Sequence, residues 1–171
     1  MALGPYFYYI NSDYIDYLKQ TEIEKRGFTC VPNIHYRNTG KFVFGTVLDM
    51  NGVSYFVPVS SYSRKQQDLM LIKDKSDRHI LGSLRFNFMI PVPKNMLQKL
   101  DINALPIENN RVHISKELAF CRRNRDKIFS RALKTYQRVR SGKYSELNQH
   151  SCDFELLEEA CVRYMALHES L

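Results

Sequence analysis

The apolar positions of this chain alternate between a period near 2 and a period near 3.6, and the changes between them divide it into elements. Residues 5–10, PYFYYI, read as a first strand. Ser12 or Asp13 is suited to cap a short helix through YIDYLKQ, where Tyr14, Tyr17 and Leu18 recur at helical spacing. Residues 20–40 lose that periodicity and contain Gly27, Pro32, Asn33, Asn38 and Gly40, which predicts a long loop. Loops of that length in compact domains are disordered or functional, and His35, Tyr36 and Arg37 near its end favour function. From Lys41 to Lys65, KFVFGTVLDMNGVSYFVPVSSYSRK, two apolar strands flank Asn51-Gly52, a pair suited to the positive φ angles of a type I′ hairpin turn.

Leu69 to Ile72 is a short apolar strand and residues 74–78 a polar turn. ILGSLRFNFMIPVP then alternates over Leu84, Phe86, Phe88 and Ile90, the signature of a strand with one buried face, until Pro91 and Pro93 end it. Residues 94–100 suit one or two helical turns and 101–113 a loop. A long helix is predicted from Ser115 as N-cap, with Leu118, Cys121, Ile128, Ala132, Leu133, Tyr136 and Val139 as its apolar stripe, a break near Asn124 and an end at Gly142. A last helix follows from Asp153, with acids in its first turns as the helix dipole prefers. The pattern is α+β: four to six antiparallel strands, interrupted and followed by helices, in one domain over 1–171.

Charge adds a partner to this outline. The formal net charge is +7 over 171 residues, which points first to nucleic acid and second to an anionic membrane surface. The long helix concentrates it: Arg122, Arg123, Arg125, Lys127, Arg131, Lys134, Arg138, Arg140 and Lys143 face Asp126 alone. Mutual repulsion along such a face is relieved by a phosphate backbone, and the apolar stripe is needed for the core, so RNA or DNA is favoured over a membrane. Tyr14 and Tyr36 are candidate platforms for unpaired bases. The four cysteines form no CxxC pair, which favours a reduced protein over a disulfide scaffold. Without a signal peptide or a run of roughly 18 apolar residues, the expected place is the cytoplasm.

The candidate chemistry is equally selective. The five histidines stand singly, without HxH or HExxH spacing, and no P-loop, GxGxxG or GxSxG motif occurs; no metal or cofactor is expected. What remains is the open end of the hairpin. A hairpin brings its ends together, so Lys41 should lie near Ser60, Ser61, Ser63, Arg64 and Lys65, a rim of hydroxyls and cations suited to phosphate. RNA can be cut at such a rim without a protein nucleophile, because its own 2′-OH attacks the adjacent phosphate. The protein then holds the backbone in line, moves protons and stabilises the phosphorane. A noncatalytic RNA-binding module uses the same residues.

Several segments together resemble the ToxN/AbiQ family of type III toxin–antitoxin endoribonucleases: SDYIDYLK at 12–19, KFVFGTVL at 41–48, PVSS at 58–61, LGSLRFNFMIPV at 81–92, LAFCRRNRDKI at 118–128 and CDFELLEE at 152–159. The resemblance implies a metal-independent RNase with a highly twisted, barrel-like antiparallel sheet similar to the Kid/MazF toxins, surrounded by helices. It implies a pseudoknotted RNA antitoxin, transcribed from tandem repeats, which the toxin cuts from its precursor and which inhibits it. The two would form a closed protein–RNA ring acting in phage defence by abortive infection. The family's active-site lysine falls on Lys41, its Thr-Ser pair on Ser60 and Ser61, and its tyrosine on Tyr36, allowing one inserted residue. The family pattern continues that pair with Pro-Lys, whereas Tyr62-Ser63-Arg64-Lys65 follow here, leaving Arg64 first and Lys65 second as the other phosphate-binding cation. Arg37 and Ser63 would contact RNA near this rim, and Arg122, Arg123, Lys127 and Arg131 would hold its backbone. A Kid/MazF-like toxin restrained by a protein antitoxin is the other reading open at this point.

Overall fold

The computed structural model describes residues 4–34, 40–76 and 78–169. Its centre is the hairpin of β2 (Val43–Met50) and β3 (Val53–Ser60). Asn51 and Gly52 take φ values of 53° and 81°, as a type I′ turn requires. The turn is tied to the helices: the Asn51 amide donates to Tyr136 Oη at 3.3 Å and to Glu158 at 3.4 Å. Buried Glu158 also accepts from Tyr55 at 3.0 Å and Tyr136 at 2.7 Å. The closed end is therefore fixed, and the open end is left to carry chemistry.

Around the hairpin lie β1 (Tyr6–Ile10), β4 (Leu69–Lys73), β5 (Ile80–Arg85), β6 (Ile90–Pro91) and β7 (Leu97–Lys99). All pairings are antiparallel, in the order β4-β5-β3-β2-β1-β7, with β6 added to β3. Among the described residues the two outer strands, β4 and β7, do not pair, so the sheet is open rather than the barrel the family resemblance implied. The α+β class stands. Among the described residues α2 (Glu108–Arg123), α3 (Arg125–Arg140) and α5 (Phe154–Glu169) pack against this sheet, α1 (Ser12–Arg26) packs on α5, and the short α4 (Ser145–Gln149) lies between α3 and α5 in the chain.

Four elements depart from the sequence reading, each for a physical reason. The strand expected through Leu84 and Ile90 breaks into β5 and β6, because Phe86–Phe88 form a 3-10 turn. That turn lets one segment serve both halves of β3: Leu84 lies opposite Val59 and Ile90 opposite Phe56. Phe86 stays fully buried, stabilising the core by about 2–3 kcal/mol. Residues 97–99 are a strand rather than helix, because the outer edge of β1 needs a partner and finds it there. α2 begins at Glu108, not Ser115, with no side-chain cap; its first turns stand in solvent and so lack an apolar period. α1 is longer than predicted and is capped by Asn11, whose side chain accepts from Tyr14 N–H at 3.2 Å. Its second half buries only Glu22, a charge in place of an apolar stripe.

The base-stacking role expected for Tyr14 is corrected here. Tyr14 is fully buried, its ring lies 4.9 Å from that of Tyr164, and its hydroxyl donates to the Pro91 carbonyl at 2.6 Å. Burial also pushes its phenol pKa up. Tyr14→Phe should lower stability by about 1–1.5 kcal/mol through the lost hydrogen bond and leave RNA affinity unchanged. Urea unfolding alongside a binding titration checks both.

Candidate active site

The register of the hairpin brings Lys41 to Ser60. Val43 lies opposite Pro58, and the ladder continues one step outward through Val59 N–H donating to the Phe42 carbonyl at 3.1 Å. One further step sets Lys41 against Ser60, which in turn lies opposite Ser83 on β5. Lys41, Ser60 and Ser61 line one cleft of about 660 Å3 with the segment Thr29–Ile34. Ser60 Oγ accepts from Tyr62 N–H at 3.1 Å. That bond fixes the chain's exit from β3 and leaves the hydroxyl proton available to a ligand oxygen.

The remaining rim candidates separate from this group. Ser63, Arg64 and Lys65 are exposed and do not line the cleft. Tyr36 and Arg37 lie outside the described residues.

Three polar residues that pattern reading passed over complete the cleft: Arg85, His113 and Glu117. Glu117 is buried in α2 with its carboxylate against the sheet. A Cβ at Gly82 would stand 2.6 Å from the Ser60 carbonyl and 2.8 Å from Glu117 Oε2, so only glycine allows this approach. His113 Nε2 lies 3.0 Å from the Leu81 carbonyl; a carbonyl can only accept, so this nitrogen carries a proton. Glu117 Oε1 is 3.4 Å from the same nitrogen. That proton is directed to Leu81, and burial disfavours the charged form of the acid.

Burial raises the Glu117 carboxyl from 4.5 to about 8. Between those values the folded chain keeps a proton that the unfolded chain releases. Stability contributed by this site is therefore full below the unfolded value, falls as pH rises and levels off above about 8. Its neighbours are His113 and Cys121 on α2, with Lys41 and Arg85 in the same cleft. Glu117→Gln should flatten the decline in urea stability between about pH 5 and about pH 8 and exceed the wild type at the upper end.

The basic helix is two helices, and its charges divide. Arg123 and Lys127 line a groove of about 610 Å3 with Lys73, Asp74 and Lys75 from the end of β4. The other cations are partly engaged at home. Arg122 donates to the Pro5 carbonyl at 3.1 Å and sits 4.8 Å over the Tyr6 ring. Arg131 donates to the Leu69 carbonyl at 2.9 Å. Arg138 pairs with Asp68 at 2.9 Å and Arg140 with Glu155 at 2.8 Å. Asp126 is thus not the lone balancing acid that the helix sequence suggested, because other elements supply two more.

Among the described residues no cluster of His, Cys, Asp or Glu comes together that could hold a metal ion, and no helix is long and apolar enough to cross a membrane. Cys30 lines the cleft, but burial and nearby Glu22 push its thiol up, away from the reactive thiolate. The cleft offers cations, hydroxyl donors and an acid whose charged form burial disfavours, the equipment for holding a phosphodiester rather than attacking it.

Residues 6–162 match the family model described as toxin ToxN of type III toxin–antitoxin systems. The chain belongs to the ToxN family. It is 32% identical to endoribonuclease ToxN of Pectobacterium atrosepticum, with 90% of each chain covered. Endoribonuclease ToxN of Bacillus thuringiensis subsp. kurstaki is 31% identical, with 94% of this chain and 84% of that one covered. Endoribonuclease AbiQ of Lactococcus lactis subsp. lactis is 26% identical, over 92% and 88%. A solved structure of AbiQ, a lactococcal anti-phage endoribonuclease of a type III system, superposes with a TM-score of 0.81 at 25% identity, covering 96% of this chain and 99% of that one. A second, concerned with selective toxin inhibition by a non-coding RNA pseudoknot, gives 0.80 at 27% identity over 95% and 98%. The span matched to the ToxN family contains the whole cleft, from Thr29 to Glu117.

Proposed function

We propose that this ToxN-family protein is an endoribonuclease toxin that cuts RNA by attack of the substrate's 2′-OH, leaving a 2′,3′-cyclic phosphate. The observation that carries the reading is the register opposing Lys41 to Ser60 at the open end of the hairpin, inside a chain whose relatives are named endoribonucleases. In this reading Ser60 and Ser61 bind and orient the scissile phosphate. Lys41 stabilises the phosphorane or delivers the proton to the leaving oxygen. Tyr36 positions the nucleotide or assists proton transfer, and Arg37 contacts the strand beside it. Metal ions are not needed for this chemistry.

The same proposal covers the partner. Arg123 and Lys127, with Lys73 and Lys75, supply a basic groove for the backbone of a pseudoknotted RNA antitoxin, with Arg122 and Arg131 at its flanks. The solved relative inhibited by an RNA pseudoknot supports this choice over a protein antitoxin. A closed ring of alternating protein and RNA, a cytoplasmic location, a single domain over 1–171, kinship of the sheet with Kid/MazF toxins and phage defence by abortive infection belong to the reading as well. The test is incubation of purified protein with single-stranded RNA in excess chelator, followed by mapping of the new ends. Cyclic phosphate ends are expected. Intact RNA would leave only a noncatalytic binding module.

A further inference from the structure

One guanidinium in the cleft lacks a neutralising partner. Arg85 closes β5 immediately before the 3-10 turn. Its Cζ lies 4.4 Å from the Phe88 ring centroid and 5.1 Å from that of Tyr62. Two aromatic rings thus hold the side chain, so little conformational freedom remains to be lost on binding. Its Nε is buried with no hydrogen-bond partner, and among the described residues no carboxylate pairs with it. Glu117, an acid lining the same cleft, has its charged form disfavoured by burial, which raises its carboxyl to about 8. Desolvation lowers the Arg85 pKa, with Tyr62 acting the other way, as expected of a part-buried cation with no carboxylate beside it.

An orphaned, held guanidinium at the wall of a cleft is a receptor for an anion with two oxygens in one plane. Its place in the molecule says which anion. Arg85 and Phe88 line the Lys41–Ser60 cleft and also a second cleft of about 780 Å3, which contains Gln66, Lys143, His150, Glu146 and Asp68, the last already paired with Arg138. A strand bound at Ser60 reaches the second cleft by passing Arg85. We propose that Arg85 is a phosphate-binding residue of the RNA site, gripping the substrate backbone where the two clefts meet. It takes the position that Arg64 and Lys65 do not reach. This inference rests on the reading of the cleft as an RNA-cleaving site.

The test compares Arg85→Gln, which removes the charge at similar length, with Arg85→Lys, which keeps charge but not the planar fork. The probe for binding is a short mixed-sequence DNA oligonucleotide, which lacks the 2′-OH and is not cut. Arg85→Gln should weaken binding about 10- to 100-fold and lower the slope of log affinity against log salt by about 0.7, the value for one lost phosphate contact on a single strand. Arg85→Lys should keep the wild-type slope and lose less affinity. RNA cleavage by Arg85→Gln should show a raised KM. A lower melting temperature with an unchanged salt slope would overturn the proposal and make Arg85 a packing residue. Wild-type binding and cleavage in Arg85→Gln, with cleavage lost in Lys41→Ala, would overturn it too while leaving the cleft reading intact. Undiminished cleavage in both variants would remove the cleft reading and this inference with it.

Discussion

Lys41→Ala is expected to reduce RNA cleavage by about 100- to 1,000-fold or more, the range found when one preorganised group facing a developing oxyanion is removed. The fold should survive. Lys41 is exposed and stands just ahead of β2, outside the packed ladder, and surface substitutions of this kind stay within about 0.5 kcal/mol. RNA binding should fall only modestly, because Arg123, Lys127, Lys73 and Lys75 still supply the basic groove. A gel assay of cleavage together with a binding titration separates these effects. Wild-type cleavage by a folded Lys41→Ala protein would end the assignment of Lys41.

Glu22→Gln should produce the largest loss of stability, about 3–5 kcal/mol. Glu22 is fully buried and gathers four donors. It accepts from Thr29 Oγ1 at 2.8 Å, Cys30 N–H at 2.7 Å, Asp153 N–H at 2.7 Å and Arg26 at 3.0 Å. An amide keeps one acceptor oxygen and turns an NH2 toward N–H donors, so at least one buried donor is left unpaired beside an uncompensated guanidinium. The effect reaches the site, because Thr29 and Cys30 begin the segment that walls the cleft. Urea unfolding should show a lower midpoint with an unchanged slope, and cleavage should fall even at temperatures where the variant is folded. A midpoint equal to the wild type would mean that Glu22 does not organise this corner.

The parts of the account legible in the sequence are those that local chemistry decides. Asn51-Gly52 announces its own turn, and a hairpin brings its ends together, so Lys41 could be placed near the cluster from Ser60 to Lys65; which of them it meets is set by a bulge between Gly45 and Leu48 that the turn does not announce. The long helix, its break at Asn124 and its end at Gly142 followed from apolar spacing in the same way. What escaped were charges whose environment is set from elsewhere in the chain. Arg85 sits at an outward position of an alternating run and reads as a solvated strand residue, yet it lies over the Tyr62 and Phe88 rings at the wall of the cleft. The one available signal was a lone arginine inside the apolar run ILGSLRFNFMIPV. Glu117 reads as part of a polar helix face, and its burial depends on Gly82 three elements away. Tyr14 failed in the opposite direction, since an aromatic at helical spacing fits a stacking platform and a core equally well until its burial is seen.

In this reaction the RNA supplies the nucleophile and the cleft does not. The direct measurement uses an RNA whose cleavage position has been mapped and a matched strand carrying a single 2′-deoxy nucleotide on the 5′ side of that linkage. The wild-type protein should cut the first strand and leave the substituted linkage intact while binding both alike. Cleavage of the 2′-deoxy linkage at a comparable rate would contradict it, because water or a protein group would then have to attack.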